Sequence, residues 1–348
     1  MKKKVVFIKL SLLMVTLLTL TACGRNAAAY VKPAIGFTVK EQLKCTVDVS
    51  SQNSLNILAQ DGNVSIKQWD SDFIQITVNK SIKGPSTKKK LKEMLDSHEL
   101  KRESSIDNIN INLVPEDDIK PLYRKTDDIE ILVPENIEYI NIDAASGSIN
   151  LSELESLSRI DIQLDNGSID ISDCGSRRTA LTVSTGNITV EGLDGAINSY
   201  ECGKGDVVLN NVSGTTDVKL TSGSMIINEL DGKLTGIIST GNIVTSNSNM
   251  RTESSIYASY GNIIADLSSI DDKGTYSITA ANGNIKLKLP DNKGWSIIAE
   301  AAKGRIDNNI KAVEGSLKNS PTGELYGDVM GGGANVGAYV YNGSIYLY

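Results

Sequence analysis

LTVSTGNITVEGLDGAINSYECGKGDVVL, residues 181–209, decides the fold. Leu181 and Val183 precede Gly186, and Ile188 and Val190 follow it. Nineteen residues on, the same arrangement returns as Tyr200, Cys202, Gly205, Val207 and Leu209. Apolar residues at every second position on both sides of a glycine mean strand, turn, strand. The glycine supplies a positive φ without steric cost, and the short polar residues beside it, Thr185 and Asn187, can bond back to the local backbone.

The pattern extends both ways from this pair. Glycines stand at Gly147, Gly167, Gly186, Gly205, Gly223, Gly241, Gly261, Gly283, Gly304, Gly323 and Gly343, with gaps of 18 to 22 residues. Two residues after them come Ile149, Ile169, Ile188, Val207, Met225, Ile243, Ile263, Ile285, Ile306, Leu325 and Ile345, without a polar exception. A second turn follows about seven residues after each glycine, as in Gly192-Leu193-Asp194-Gly195 and Leu230-Asp231-Gly232, with Leu154, Cys174, Leu193, Val212 and Leu230 filling the corner. The predicted fold is all-β: a single-chain β-solenoid, parallel β-helix-like, with rungs of about 19 residues stacked at roughly 4.7 to 4.9 Å. A leucine-rich repeat would need L-x-x-L-x-L-x-x-N, and a calcium-binding nonapeptide G-G-x-G-x-D-x-U-x; neither occurs. The Asn and Asp residues at the turns are therefore read as turn formers, and no metal or cofactor is expected.

Residues 45–143 read as an irregular N-terminal lead-in to the same β domain, containing one helix, and 144–348 as the regular repeats. Ile57, Ala59, Gly62, Val64 and Ile66 repeat the column pattern. The helix is capped by Ser86 or Thr87 and carries Leu91, Met94 and Leu95 on one face. Its Lys88, Lys89, Lys90 and Lys92 form the one basic cluster downstream of the leader; a solvated helix face is the ordinary role of such a run, and a site for acidic envelope polymers the less common one. Two further strands are suggested by Ile109, Ile111, Leu113 and by Ile129, Ile131, Val133, with an acidic loop at Glu116, Asp117 and Asp118 between them.

Residues 1–22 have the form of an export signal: Lys2, Lys3 and Lys4, then an apolar run to Leu20. Leu20-Thr21-Ala22-Cys23-Gly24 resembles a bacterial lipobox. The resemblance implies that Cys23 becomes the first residue, is lipidated, and holds the protein at the membrane, palmitate being one such acyl group, with 23–44 as a tether. The competing reading, an uncleaved transmembrane anchor, would need a longer apolar run. Loss of four leader lysines takes the formal charge from −7 to −11. So acidic a chain argues against nucleic acid and against anionic lipid headgroups as partners. Cys174 and Cys202 fall in different inward columns, and with Cys45 they match no zinc or CxxC spacing; they are expected to be buried and unpaired, a disulfide between two of them being the alternative in an exported protein.

Catalytic signatures are missing. No G-x-S-x-G, H-E-x-x-H or G-x-x-x-x-G-K-[ST] occurs. The single histidine, His98, lies near the apolar helix face, where a half-buried structural role is the common one. Parallel β-helices also serve polysaccharide-acting enzymes, which makes such an enzyme one alternative function, a structural or sensory partner of another envelope protein being the other; but the outward acids Asp170, Glu191 and Asp206 are dispersed among Asn and Ser.

Two outward features are candidate binding surfaces. Three residues after the glycine, where side chains face solvent, stand Val208, Ile226, Val244 and Ile264, an apolar stripe on the order of 15 Å long. β-Branched residues are also simply favoured in strands, and the lead-in could cover them. Around Gly343 stand Tyr339, Tyr341, Tyr346 and Tyr348, suited either to capping the end of the solenoid or to stacking on a sugar or protein.

The motifs Asp61-Gly62-Asn63-Val64-Ser65-Ile66 with Trp69-Asp70, Ile131-Leu132-Val133-Pro134, the serial Ser/Thr-Gly-Asn/Ser-Ile turns and Tyr341-Asn342-Gly343-Ser344-Ile345 resemble the bacterial "putative adhesin" family classed as domain of unknown function 4097. The resemblance covers about residues 45–348. It implies a β-solenoid at the cell surface and supplies no catalytic residues. Together these readings predict a non-enzymatic, extracytoplasmic lipoprotein on the bacterial membrane, displaying a surface for binding, adhesion or scaffolding. Its expected partner is an envelope protein or a cell-wall glycan.

Overall fold

The computed structural model describes residues 36–97, 100–113, 123–310, 318–320 and 323–348. Cys23, His98 and the acids at 116–118 lie outside them. The molecule is a β-solenoid whose described strands form one continuous, open hydrogen-bonded sheet.

Successive rungs pair in parallel, with like positions opposite one another. The column expected two residues after each glycine is a ladder of Ile188, Val207, Met225, Ile243, Ile263 and Ile285. Every member is fully buried. At about 1.5–3 kcal/mol per large apolar side chain, such columns are the main favourable term holding rung to rung.

The glycines stack as well, because the corner leaves no room for a side chain. A Cβ at Gly223 would overlap the Gly205 carbonyl oxygen, one at Gly241 that of Gly223, and one at Gly261 that of Gly241. The φ values, +142°, +137° and +147°, are also ones that residues with a side chain rarely adopt. Outside this stack runs a polar ladder. The N–H of Asp206 donates to Asn187 Oδ1 (2.9 Å), that of Ser224 to Asp206 Oδ1 (2.7 Å), that of Asn262 to Asn242 Oδ1 and that of Asn284 to Asn262 Oδ1 (both 2.9 Å). These Asn and Asp side chains thus satisfy backbone donors of the next rung.

The second corner turns at the sixth residue after the glycine. Glu153, Asp173, Gly192, Asn211, Glu229 and Asn247 occupy it, with φ between 50° and 66°. Glutamate is a poor turn former, so this corner is set by the apolar residue that follows it, Leu154 or Leu230, seated in the core.

Both ends depart from a simple spiral. The segment 54–68 pairs with 139–152 on one side and with 108–112 and 129–133 on the other, so the first rung in sequence is the second in space. At the far end the strands Ala334–Asn342 and Ile345–Leu347 lie between 275–288 and 295–308. The Gly343 rung is therefore interior, and the Gly304 rung lies outside it. Gly323, expected to open another rung, instead precedes the strand Glu324–Val329, which runs antiparallel to Trp295–Lys303. Antiparallel strands close the two ends: Lys101–Ser104 against 108–112, and Lys318–Ser320 and Glu324–Val329 beyond the Gly304 rung. Short and charged, they blunt edges that would otherwise recruit another chain. The tyrosines around Gly343 are not that cap.

The lead-in adds a lobe at the N-terminal end. Phe37–Asp48 pairs antiparallel with Phe73–Gly84, which pairs antiparallel with Arg124–Val133. The helix Lys88–Asp96 packs on this layer through Leu91 and Leu95, against Ile82, Val39 and Tyr123. Thr87 is its N-cap, its hydroxyl accepting from the Lys90 N–H at 3.3 Å.

Candidate binding surface

Inward and outward positions alternate along each strand, so function must be sought in the outward columns. The expected stripe is assembled: Val208 is opposite Ile226, Ile226 opposite Val244, and Val244 opposite Ile264. Ile226 is 40 % and Ile264 37 % exposed. The lead-in pairs at the far end of the stack and leaves the stripe open. Beyond Ile264 the column continues through Lys286 to Tyr346, and these three side a shallow groove with Asn262 and Asn284.

The four tyrosines do not converge. Tyr339 and Tyr341 are on the strand entering the Gly343 corner, Tyr346 is on the strand leaving it, and Tyr348 lies just past that strand's end. Tyr346 extends the stripe. Tyr348 lines a small apolar cavity with Leu289, Trp295, Ile310 and Met330. Tyr341 carries the Lys303 ammonium 4.6 Å from its ring centre, a geometry worth about 0.5–1 kcal/mol at an exposed site.

A second exposed column is absent from the sequence reading. Four residues before the glycine, Ile237 is opposite Tyr257, and both are exposed; Thr279 follows, then Tyr339. Tyr260, 62 % exposed, stands beside them. The rule that found Val208 and Ile264 would have found these, had it been applied on the entering side of the corner.

The charges pair along columns rather than gathering. Lys219 meets Glu201 (3.0 Å), Lys233 meets Glu253 (2.9 Å), Lys288 meets Asp266 (3.0 Å), and Arg251 meets Asp231 (3.0 Å). Burial works against ionisation of Asp266, but hydrogen bonds from Ser268 and Lys288 outweigh it and hold its carboxyl below the usual range. Among the described residues no group of three or more His, Cys, Asp or Glu side chains is placed to hold a metal ion. Cys45, Cys174 and Cys202 are free thiols. Burial pushes Cys174 up to about 11 and Cys202 upward too, which keeps both protonated and poor nucleophiles. No helix of the described residues is long and apolar enough to cross a membrane.

The family profile described as Toastrack DUF4097 matches residues 52–323. No curated protein matches the chain in sequence. Two solved structures are similar to it. One, from Clostridium sporogenes, is described as a "putative cell adhesion protein": 11 % identity, TM-score 0.22, 89 % of this chain and 99 % of that one covered. The other, from Bacteroides fragilis, is described as a "putative adhesin": 13 % identity, TM-score 0.26, 88 % of this chain and 97 % of that one covered.

Proposed function

We infer the function from one premise: this chain belongs to the Toastrack DUF4097 family. It is a non-enzymatic, extracytoplasmic lipoprotein, anchored through Cys23, whose solenoid is a rigid scaffold presenting an outward face to another component of the envelope. The observation that carries this reading is the outward column Val208, Ile226, Val244 and Ile264, with Ile226 and Ile264 exposed and the two valines half-buried, on a sheet whose acids are dispersed or paired. A row of apolar side chains in register across four rungs offers a flat, preorganised strip, and a partner loses little side-chain entropy in meeting it. The strip favours an envelope protein over a cell-wall glycan as the partner, since four aliphatic residues present no ring to stack on sugars. Adhesion, scaffolding and sensing all use such a contact.

The anchor is tested by feeding cells an alkyne-bearing fatty acid and following the protein through detergent phase separation. The wild-type chain will take up label and enter the detergent phase. Cys23→Ala will be unlabelled and leave the membrane fraction; label retained by that variant, or a wild-type chain without label, would refute the anchor.

A further inference from the structure

We propose that the tip of the N-terminal lobe, Phe37 with Lys88, Lys89 and Lys90, docks on an anionic lipid surface. The proposal rests on the reading of Cys23 as the anchor. Only twelve residues separate Cys23 from Gly36, where the described chain begins, so this stretch reaches at most about 45 Å. The lobe is therefore the part of the molecule held closest to the bilayer.

Its charge differs from that of the rest. Residues 36–48, 73–97 and 124–133 hold ten lysines and arginines against seven carboxylates, a net +3, whereas residues 144–348 carry a net −8. The acidity that argued against anionic headgroups belongs to the repeats and not to this end. Within the lobe, Lys92 is occupied by Glu41 (2.9 Å) and Asp96 (2.7 Å), and Asp127 by Lys125 (2.6 Å). Lys88, Lys89 and Lys90 form no ion pair among the described residues; Glu93, one turn further on, is the remaining acid of the helix.

The helix turns Leu91 and Leu95 into the lobe, which leaves these three lysines exposed. Beside them, Phe37 is 54 % exposed, and the Lys88 ammonium lies 5.6 Å from its ring centre. An exposed aromatic ring within a lysine cluster suits a headgroup region, where the ring enters the interface and the ammonium groups meet phosphate. Acyl chains would give attachment; this contact adds orientation. It sets the lobe on the bilayer and carries the stripe on the later rungs outward.

The test separates this contact from the anchor by using chain 23–348 with Cys23→Ser, which cannot be acylated and keeps every described residue. It is floated at low salt with vesicles of phosphatidylcholine alone or with about a third phosphatidylglycerol. Binding is expected only to the anionic vesicles, to fall roughly fivefold for each of Lys88→Gln, Lys89→Gln and Lys90→Gln, to fall further with Phe37→Ser, and to vanish in high salt. Unchanged melting curves will show that these surface variants fold. Equal binding to both vesicle types, no binding to either, or full binding by the triple variant would overturn the proposal. So would a soluble polyphosphate that displaces the chain from vesicles at equal phosphate concentration, which would make the site one for an acidic polymer. Failure of the Cys23 label alone would leave the vesicle result standing, so the two readings fail separately.

Discussion

Deleting residues 334–348 will unfold the C-terminal part of the solenoid, although it removes only the last fifteen residues. In an ordinary stacked repeat the final rung contacts one neighbour, and its loss costs one interface. Here the last strands fill a slot between the Gly283 and Gly304 rungs, so the deletion empties the slot and strips the inner faces of both neighbours. Val336, Val340, Ile345 and Leu347, all buried, contribute about 1.5–3 kcal/mol each, a sum that rivals the whole stability of a typical domain. The truncated chain is expected to aggregate, or to melt in two steps with the first well below the wild-type temperature. A single transition within a few degrees of wild type would mean that the slot closes by direct pairing of 275–288 with 295–308.

Gly223→Ala will cost more than about 3 kcal/mol, far beyond the usual effect of adding one methyl group. Its φ of +142° alone costs on the order of 1–3 kcal/mol for a residue with a side chain, and the new Cβ would also overlap the Gly205 carbonyl oxygen. That oxygen belongs to the neighbouring rung's own backbone, so relief requires spreading the rungs. The control is Gly331→Ala: φ is +81°, but a Cβ there meets nothing within 4 Å, so only the conformational term of about 1–2 kcal/mol applies. Chemical denaturation of the two variants should separate them by a factor of about two in free energy. Equal losses would show that the glycine column is selected for φ alone.

These two expectations mark what the sequence made legible and what it did not. The core columns were legible because each rung repeats the same side-chain pattern about Gly186, Gly205 or Gly223, and burial has period two. The order of rungs at the ends was not, because Gly304 and Gly343 carry the same local signal and nothing near either states which neighbour it meets. The Gly323 rung failed for a related reason: Leu325 is buried as the pattern demands, but the strand bearing it runs the other way. At the second corner, Glu153 and Glu229 take left-handed conformations that no propensity suggests, held there by Leu154 and Leu230.

The surface was legible where the columns were. Val208, Ile226, Val244 and Ile264 were found from their offset to the glycine, and Ile237 and Tyr257 could have been. The tyrosines around Gly343 are neighbours in sequence, yet a corner lies between Tyr341 and Tyr346 and separates the two pairs. Net charge was misleading in the same way, since it averages a basic lobe with acidic repeats.

The most direct test of the proposed function is site-specific photo-crosslinking in intact cells. A photoreactive amino acid is placed at Ile226 or Ile264 on the stripe, and at Asp217 or Ser239 on the strands entering the corner. If the stripe is the working face, positions 226 and 264 will each give the same crosslinked envelope partner, the other two will not, and Cys23→Ala will abolish the product by releasing the protein from the membrane. Crosslinks of equal yield at all four positions, or none at 226 and 264, would contradict the claim that this face carries the function.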